Sequence, residues 1–285
     1  MTAIPASVPK GFRLRLPLGA VVGGTILFAY IAVALFAPLL APYSPTEIFI
    51  GSPFDPPNAL TWLGTDNLGR DVFSRTLYGS RTILLMAGSA AAGAAILGGL
   101  IGMLLGYRGG LIDETAMRLL EIVMSIPSII FALLIIGTLG PGAGLVTAVV
   151  GLLYVPNVAR VVRAATQAVA HEDFVAAAKA RGEGSLSIVL REILPNVIGT
   201  LVVEFSIRTG YSILFIGGLG FLGFGAQPPT ADWGLMVNEG RGTIDASAWP
   251  VLAPAIGMAV LVTGVNLFSD GILRLLGPAE QGRIS

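Results

Sequence analysis

Ionisable side chains of both signs are concentrated between His171 and Asn196, inside the otherwise apolar second half of the chain. They are Glu172, Asp173, Lys179, Arg181, Glu183, Arg191 and Glu192. Apolar stretches long enough to span a membrane flank this segment on both sides. Charges and small residues held on one membrane face are suited to binding a partner protein, so the chemistry indicated here is docking and not bond breaking.

A helical elbow is predicted within this segment. The run Ala176–Ala178 favours a short helix, which Gly182 and Gly184 can end. A second short helix with an apolar face follows Ser185, and Pro195 either ends it or begins the next membrane span.

The elbow resembles the "EAA" loop of permease subunits of ATP-binding-cassette (ABC) importers. The matching pattern is Ala177-Ala178, three residues, Gly182, and then Leu194-Pro195. In that family the loop is the coupling helix, which fits into a groove of the ATPase subunit. Ala176 stands where the family has Glu and Glu192 where it has Ile, and both departures are common in the peptide-permease branch.

Two further stretches are similar to that branch. One is LGTDNLGRDVFSR at residues 63–75, followed by YGSR; the other is GFLGFG at residues 220–225, followed by QPP and by Trp233-Gly234. The chain thus resembles the second, C-type permease subunit of dipeptide, oligopeptide or nickel importers. The resemblance implies a type I, MetI-like transmembrane domain in the bacterial plasma (inner) membrane. It also implies three kinds of protein partner: a second homologous permease, two ABC ATPases that use ATP, and an extracytoplasmic solute-binding protein.

Five residues of the elbow are expected from this resemblance to dock the ATPase: Asp173, Ala177, Ala178, Arg181 and Gly182. Gly182 is the most sensitive of them, because a side chain there would penalise a left-handed turn and obstruct a close fit.

Composition independently predicts a membrane protein. Only 12% of the 285 residues are charged, 54% are hydrophobic, and the mean hydropathy is +0.82, whereas soluble domains carry roughly 25% charged residues. The net charge of zero gives nucleic-acid binding no electrostatic basis. The chain has no cysteine and a single histidine, so thiolate sites and histidine clusters for metals are excluded.

An all-α membrane protein with about six transmembrane helices is predicted. The expected spans are residues 18–42, 82–106, 119–139, 143–162, 197–221 and 251–268. The third span should kink at Pro127. An extracytoplasmic loop, residues 43–81, should contain a separate amphipathic helix beginning near Asp66. The core permease domain is 82–270 with the coupling loop 171–196, and the tails are 1–17 and 271–285.

The distribution of basic residues predicts the orientation. With six spans, twelve Lys and Arg residues lie on the side of the elbow and four, Arg70, Arg75, Arg81 and Arg241, lie on the other. By the positive-inside rule, both termini and the elbow are cytoplasmic.

Two patterns inside the spans suggest specific roles. Gly98, Gly102 and Gly106 recur every four residues, which lets another helix approach closely. Glu204 and Arg208 are spaced for an ion pair on one helix. Ionisable groups within a span either line a translocation pathway or join helices, and both interpretations stay open for this pair.

The sequence contains no motif for catalysis by the chain itself. There is no G-x-x-x-x-G-K-[ST], H-E-x-x-H or G-x-S-x-G, and neither of the two lysines, Lys10 and Lys179, follows a glycine. We therefore expect a non-enzymatic subunit that binds no cofactor and relies on separate ATPases. The alternatives are an ABC permease for nickel or another small solute, an ion-coupled secondary transporter, and a structural scaffold.

Overall fold

Residues 17–276 are described by the computed structural model, and within this range the chain is helical with no β-strand, as predicted. In chain order the helices are α1 Leu18–Leu40, α2 Val72–Arg108, α3 Gly110–Ser125, α4 Ser128–Leu139, α5 Ala143–Val169, α6 Asp173–Ala180, α7 Ser185–Ile188, a π-helical turn Val189–Ile193, α8 Leu194–Phe221, α9 Trp233–Gly240 and α10 Trp249–Leu276. Residues 1–16 and 277–285, which belong to the predicted tails, lie outside the described residues.

Five helical runs are long and apolar enough to cross a membrane: α1, α2, α5, the run from α7 to α8, and α10. The predicted third span is instead a broken pair, because α3 and α4 meet at an angle of 80°. Ile126, between them, has an extended backbone, as expected for a residue that precedes proline. The proline therefore divides this span, a stronger effect than the predicted kink.

Close packing shows that α2 and α5 run in the same direction. A Cβ atom built on Gly98 would lie 2.7 Å from the carbonyl oxygen of Val155, and one on Gly106 would lie 2.7 Å from that of Arg163. Successive glycines of α2 thus contact successively later residues of α5, which means that the two helices are parallel. Since both long helices run the same way, α3 and α4 together must return the chain across the bundle once, which makes six crossings.

The two ends of the described chain lie on the same face as the α6 region. Helices α1 and α10 are antiparallel, since Ala20 packs against Gly271 and Tyr30 donates a hydrogen bond to the carbonyl oxygen of Gly257. Helix α10 is also antiparallel to α8, which begins at the elbow, since Gly210 packs against Asn266 and Gly217 against Met258. We call the face that carries α6 the elbow face. The opposite, outer face carries the connections 41–71, 140–142 and 222–248.

The predicted separate amphipathic helix before the second span does not exist. Helix α2 begins at Val72 and continues unbroken to Arg108, so residues 72–81 are its first turns. Its N-cap is Asp71, whose Oδ2 accepts a hydrogen bond of 2.8 Å from the backbone N–H of Ser74. The prediction was wrong because charges such as Arg75 indicated an interfacial surface, whereas Arg75 is buried and its charge is compensated.

Gly102→Ala is expected to destabilise the protein by about 1–3 kcal/mol, the usual cost of overpacking. A Cβ atom at Gly102 would lie 2.5 Å from the carbonyl oxygen of Ala159, where neither backbone can give way. The matched control is Gly88→Ala on the same helix, where a Cβ atom meets nothing within 4 Å. Thermal unfolding in detergent should show a lower Tm for Gly102→Ala alone, and equal Tm values would contradict the packing argument.

Candidate functional site

The turn after α6 has the geometry of a Schellman motif centred on Gly182. The backbone N–H of Gly182 donates to the carbonyl oxygen of Lys179 at 3.0 Å, and that of Glu183 donates to Ala178 at 3.2 Å. Gly182 has φ +78°, a left-handed conformation that favours glycine. A Cβ atom there would meet nothing within 4 Å, so Gly182 is open to the surroundings.

The elbow is fixed to the ends of the long helices by an apolar core. Val175, Ile188 and Ile193 are fully buried in one cluster with Met103 of α2 and Val162 of α5. The π-helical turn directly precedes Leu194-Pro195, and proline has no N–H and would clash within a regular helix. The helical run continues through this π-helical turn into α8. Because of this packing, the elbow cannot shift without displacing α2, α5 or α8.

Ala178 belongs to this core, so its predicted role in docking is corrected. The residue is 0% exposed, and it lies one turn after Val175 on the inner side of α6. The run Ala176–Ala178 has no hydrophobic periodicity, and therefore the sequence alone could not show which alanine faces inward.

The other four predicted docking residues, Asp173, Ala177, Arg181 and Gly182, are exposed. Two apolar side chains that were not predicted to dock the ATPase are exposed with them: Phe174 at 38% and Leu186 at 57%. Exposed apolar residues on a short helix that also carries charges are typical of a surface that a partner protein covers.

An ionic cluster lies between the two arms of the elbow. Arg181 Nη2 lies 2.6 Å from Glu183 Oε1 and 3.6 Å from Glu192 Oε1. The hydrogen bond from Arg181 is the main reason why the pKa of the Glu183 carboxyl is lowered from its ordinary value. Glu192, which replaces the Ile of the family pattern, thus faces a basic partner across the turn.

A second ionic cluster lies at the outer face, and we call it the outer cluster. Arg70 Nε is 2.6 Å from Asp66 Oδ2, while its Nη2 is 2.8 Å from Glu239 Oε2. Arg75 contacts the same two acids, with Nη2 3.2 Å from Glu239 Oε2 and Nε 3.5 Å from Asp66 Oδ2. Both arginines are nearly completely buried. The outer cluster therefore joins the loop before α2 to α9.

Trp233 completes this outer assembly. Its Nε1 donates a hydrogen bond of 2.9 Å to the carbonyl oxygen of Thr76, and its ring fills the space that side chains at Gly79 and Gly257 would occupy. The first stretch that carried the resemblance outside the elbow, residues 63–75 followed by 78–81, thus meets Trp233, which belongs to the second stretch, at the outer face.

Glu239→Gln is expected to destabilise the protein by about 3–5 kcal/mol, because it leaves two buried guanidinium groups with a single carboxylate. Glu239 Oε2 accepts from both arginines. The control is Glu47→Gln, an exposed residue in a loop of the same face. Thermal unfolding in detergent should separate the two variants, and a Tm for Glu239→Gln equal to that of the control would contradict the prediction.

Glu204 and Arg208 form the ion pair expected from their spacing. Arg208 Nε and Nη2 lie 3.0 Å and 2.9 Å from Glu204 Oε2. The Arg208 guanidinium also lies 5.7 Å from the ring centroid of Tyr154 and 5.6 Å from that of Tyr211. Tyr211, one turn along α8, is 54% exposed. The pair therefore lies beside an open stripe of α8, formed by the exposed Tyr211 and Leu214, and not in the centre of the core.

Comparison with known proteins identifies the family. Residues 98–281 match the family described as "Binding-protein-dependent transport system inner membrane component". Residues 13–57 match the "N-terminal TM domain of oligopeptide transport permease C". These two matches cover the elbow and the first helix, respectively.

Curated relatives match the chain over most of its length. The dipeptide transport system permease protein DppC of Alkalihalophilus pseudofirmus is 37% identical over 259 residues, covering 91% of this chain and 85% of that protein. The di/tripeptide transport system permease protein DppC of Pseudomonas aeruginosa is 35% identical, covering 91% and 88%. The probable D,D-dipeptide transport system permease protein DdpC of Escherichia coli is 35% identical, covering 93% and 89%.

A solved structure confirms the predicted fold. One chain of the MetNI methionine ABC transporter, crystallised in an inward-facing conformation, superposes with a TM-score of 0.56 at 21% identity, covering 70% of this chain and 95% of that chain. The multi-pass helical architecture and the MetI-like fold predicted from the resemblance are thus confirmed. The chain belongs to the binding-protein-dependent permeases of ABC importers, as a C-type subunit of the dipeptide and oligopeptide branch.

Proposed function

We propose that this chain is one of two membrane subunits of an importer that carries dipeptides or short oligopeptides into the cytoplasm. Separate ATPase subunits hydrolyse the ATP, and an extracytoplasmic binding protein delivers the cargo. The observation that carries the proposal is the exposed elbow, whose inner side is fixed to α2, α5 and α8. The names of the relatives, which include dipeptide, di/tripeptide and D,D-dipeptide permeases, support peptide cargo.

The elbow face is the cytoplasmic one in this proposal, with both termini on that side. Among the described residues it carries eight basic side chains: Arg108, Arg118, Arg160, Arg163, Lys179, Arg181, Arg191 and Arg274. The outer face carries four, of which Arg70 and Arg75 are buried and paired with acids. This asymmetry follows the positive-inside rule.

ATPase docking is assigned to the exposed surface of the elbow. Asp173, Ala177, Arg181 and Gly182 contribute polar and small contacts, and Phe174 and Leu186 contribute apolar ones. Closure of the ATPase dimer on nucleotide moves the elbow, and the buried contacts of the elbow carry that movement into the long helices. The energy comes from the different affinities of the two conformations for nucleotide and for the loaded binding protein.

The translocation pathway runs along the open stripe of α8, with the second permease forming the opposite wall. The Glu204–Arg208 pair lies beside this stripe, and intramembrane charges normally face a bundle interior or an aqueous cavity. A carboxylate and a guanidinium side by side can interact with both charged ends of a passing peptide.

Copurification followed by reconstitution tests the proposal. The chain is purified from membranes in mild detergent, its copurifying polypeptides are identified, and the complex is placed in vesicles. We expect a second permease, P-loop ATPases, and ATP-dependent uptake of a labelled dipeptide when the binding protein is added. Uptake driven by membrane potential without ATP, or a chain that purifies alone, would overturn the importer proposal. Uptake of nickel ions with no peptide uptake would overturn the cargo.

A further inference from the structure

A buried ion pair joins the start of α3 to the end of α5. Arg163 donates two hydrogen bonds to the Asp113 carboxylate: its Nη2 lies 2.5 Å from Oδ2, and its Nε bonds to Oδ1. Gln167 Nε2, one turn further along α5, lies 3.3 Å from the same Oδ2. Asp113 is only 2% exposed. A fork-to-fork arrangement of this kind fixes the relative orientation of two helices as well as their distance. We call these three residues the clamp.

Helix α3 is hinged at both of its ends. Gly109 lies between α2 and α3, and Gly110 is the first residue of α3. Their φ values are +62° and +69°, and a Cβ atom on either would meet nothing within 4 Å. Ile126 and Pro127 separate it from α4, where the chain bends by 80°. Neither neighbouring helix therefore determines the direction of α3 through a continuous backbone.

Few other contacts of α3 are buried. Asp113 and Met117 are its buried residues, whereas Leu111, Ile112, Leu119 and Ile122 are each more than 60% exposed. Because the ends are hinged and most of the apolar surface is exposed, the clamp is the principal attachment that sets the position of α3 relative to α5.

The two clamp residues on α5 lie shortly before the elbow in the chain. Arg163 and Gln167 lie in the last turns of α5, and α6 begins at Asp173. His171 Nδ1 lies 2.8 Å from the carbonyl oxygen of Gln167. A displacement of the elbow that moves the end of α5 therefore pulls on the Asp113 carboxylate.

We propose that the clamp is a second coupling element, which makes the broken span α3–α4 follow the elbow during the transport cycle. Asp113, Arg163 and Gln167 are positioning residues in this proposal, which rests on the proposed import function. When the elbow moves, the ion pair carries α3 with it, and the glycine hinge allows the angle between α2 and α3 to change. Without the clamp, the elbow would move and α3 would lag behind.

The first test compares uptake with ATP hydrolysis in vesicles that contain the complete transporter. Asp113→Asn removes the charge, Arg163→Lys keeps the charge but loses the two-pronged contact, and Glu114→Gln removes an adjacent exposed charge as the control. We expect ATP hydrolysis to stay within about twofold of wild type, and peptide uptake per ATP to fall about fivefold or more in both clamp variants, the range of a lost coupling free energy. Wild-type uptake per ATP in both variants would overturn the proposal. If Asp113→Asn does not assemble, Arg163→Lys alone decides.

The second test measures the attachment itself and does not depend on transport. Because this chain has no cysteine, Leu111→Cys and His171→Cys can carry a spin-label pair in the purified complex once reactive cysteines of the partner subunits are replaced. We expect a narrow distance distribution in wild type and with Glu114→Gln, and a broad one with Asp113→Asn or Arg163→Lys. An equally narrow distribution in all four would overturn the clamp. If the distance distribution broadens in the clamp variants but the wild-type complex shows no ATP-driven uptake, the result would support the clamp and contradict the importer function.

Discussion

Gly182→Val is expected to leave the importer assembled and able to hydrolyse ATP, while ATP-dependent peptide uptake falls about tenfold or more, the range of a lost coupling free energy. Gly182 has φ +78°, and a side chain in the left-handed region costs about 1–2 kcal/mol, with a β-branched one at the upper end. The turn would relax toward ordinary dihedral angles, which would move Arg181 and Glu183 out of the Schellman geometry. The docking surface would then no longer match the ATPase.

The effect of this substitution is confined to the turn and the surface. A side chain at Gly182 meets nothing of this chain within 4 Å, so no internal clash accompanies it. Gly184→Ala is the matched control, because Gly184 also has open space around it but has φ −68°. The measurement is uptake of a labelled dipeptide per ATP hydrolysed in vesicles. If Gly182→Val matches Gly184→Ala, the elbow is only a linker.

Much of the fold could be predicted from local sequence properties. Long apolar runs gave the spans, and Gly182 marked the end of α6, because both depend on residues that are neighbours in the chain. The boundary of α2 was missed for the opposite reason. The charge of Arg75 is compensated by Glu239, which lies 164 residues away, and no local pattern reveals that contact.

The ion pairs divide in the same way. Glu204 and Arg208 lie four residues apart on one helix, so their spacing alone predicted the contact. Asp113 and Arg163 are 50 residues apart and belong to different helices. They meet because α2 and α5 run in the same direction, so that α3 and α4 must cross back over the bundle between them. The periodicity of the sequence carries no information about that packing.

Local sequence patterns also did not predict which face of the short helix α6 is buried. The alanine run of α6 predicted a helix, and its interior face became visible only through the burial of Val175 and Ala178. Once that face is known, Phe174 and Leu186 are seen to be among the apolar side chains of the elbow that are exposed. The docking surface is therefore a consequence of how the elbow packs, and not only of which residues it contains.

Neutralising both Glu204 and Arg208 is expected to abolish peptide uptake without lowering the amount of assembled transporter. Breaking a buried ion pair by removing one partner typically costs about 3–5 kcal/mol, whereas replacing both partners is often close to neutral. Glu204 is 5% exposed and Arg208 is its partner. We therefore expect Glu204→Gln and Arg208→Gln alone to lower the Tm and the abundance, and the double variant to restore both.

Uptake should not follow this recovery if the pair interacts with the cargo. The double variant is expected to have near wild-type stability but uptake reduced about tenfold or more, since it lacks both charges that a peptide would meet. Arg160→Gln, which removes an exposed charge near the end of α5, is the control for a general effect of lost basic residues. If the double variant recovers both its stability and wild-type uptake, the pair serves helix packing alone. The comparison thus separates the two roles that the spacing of Glu204 and Arg208 leaves open, because packing requires only that the pair be matched, whereas transport requires that it be charged.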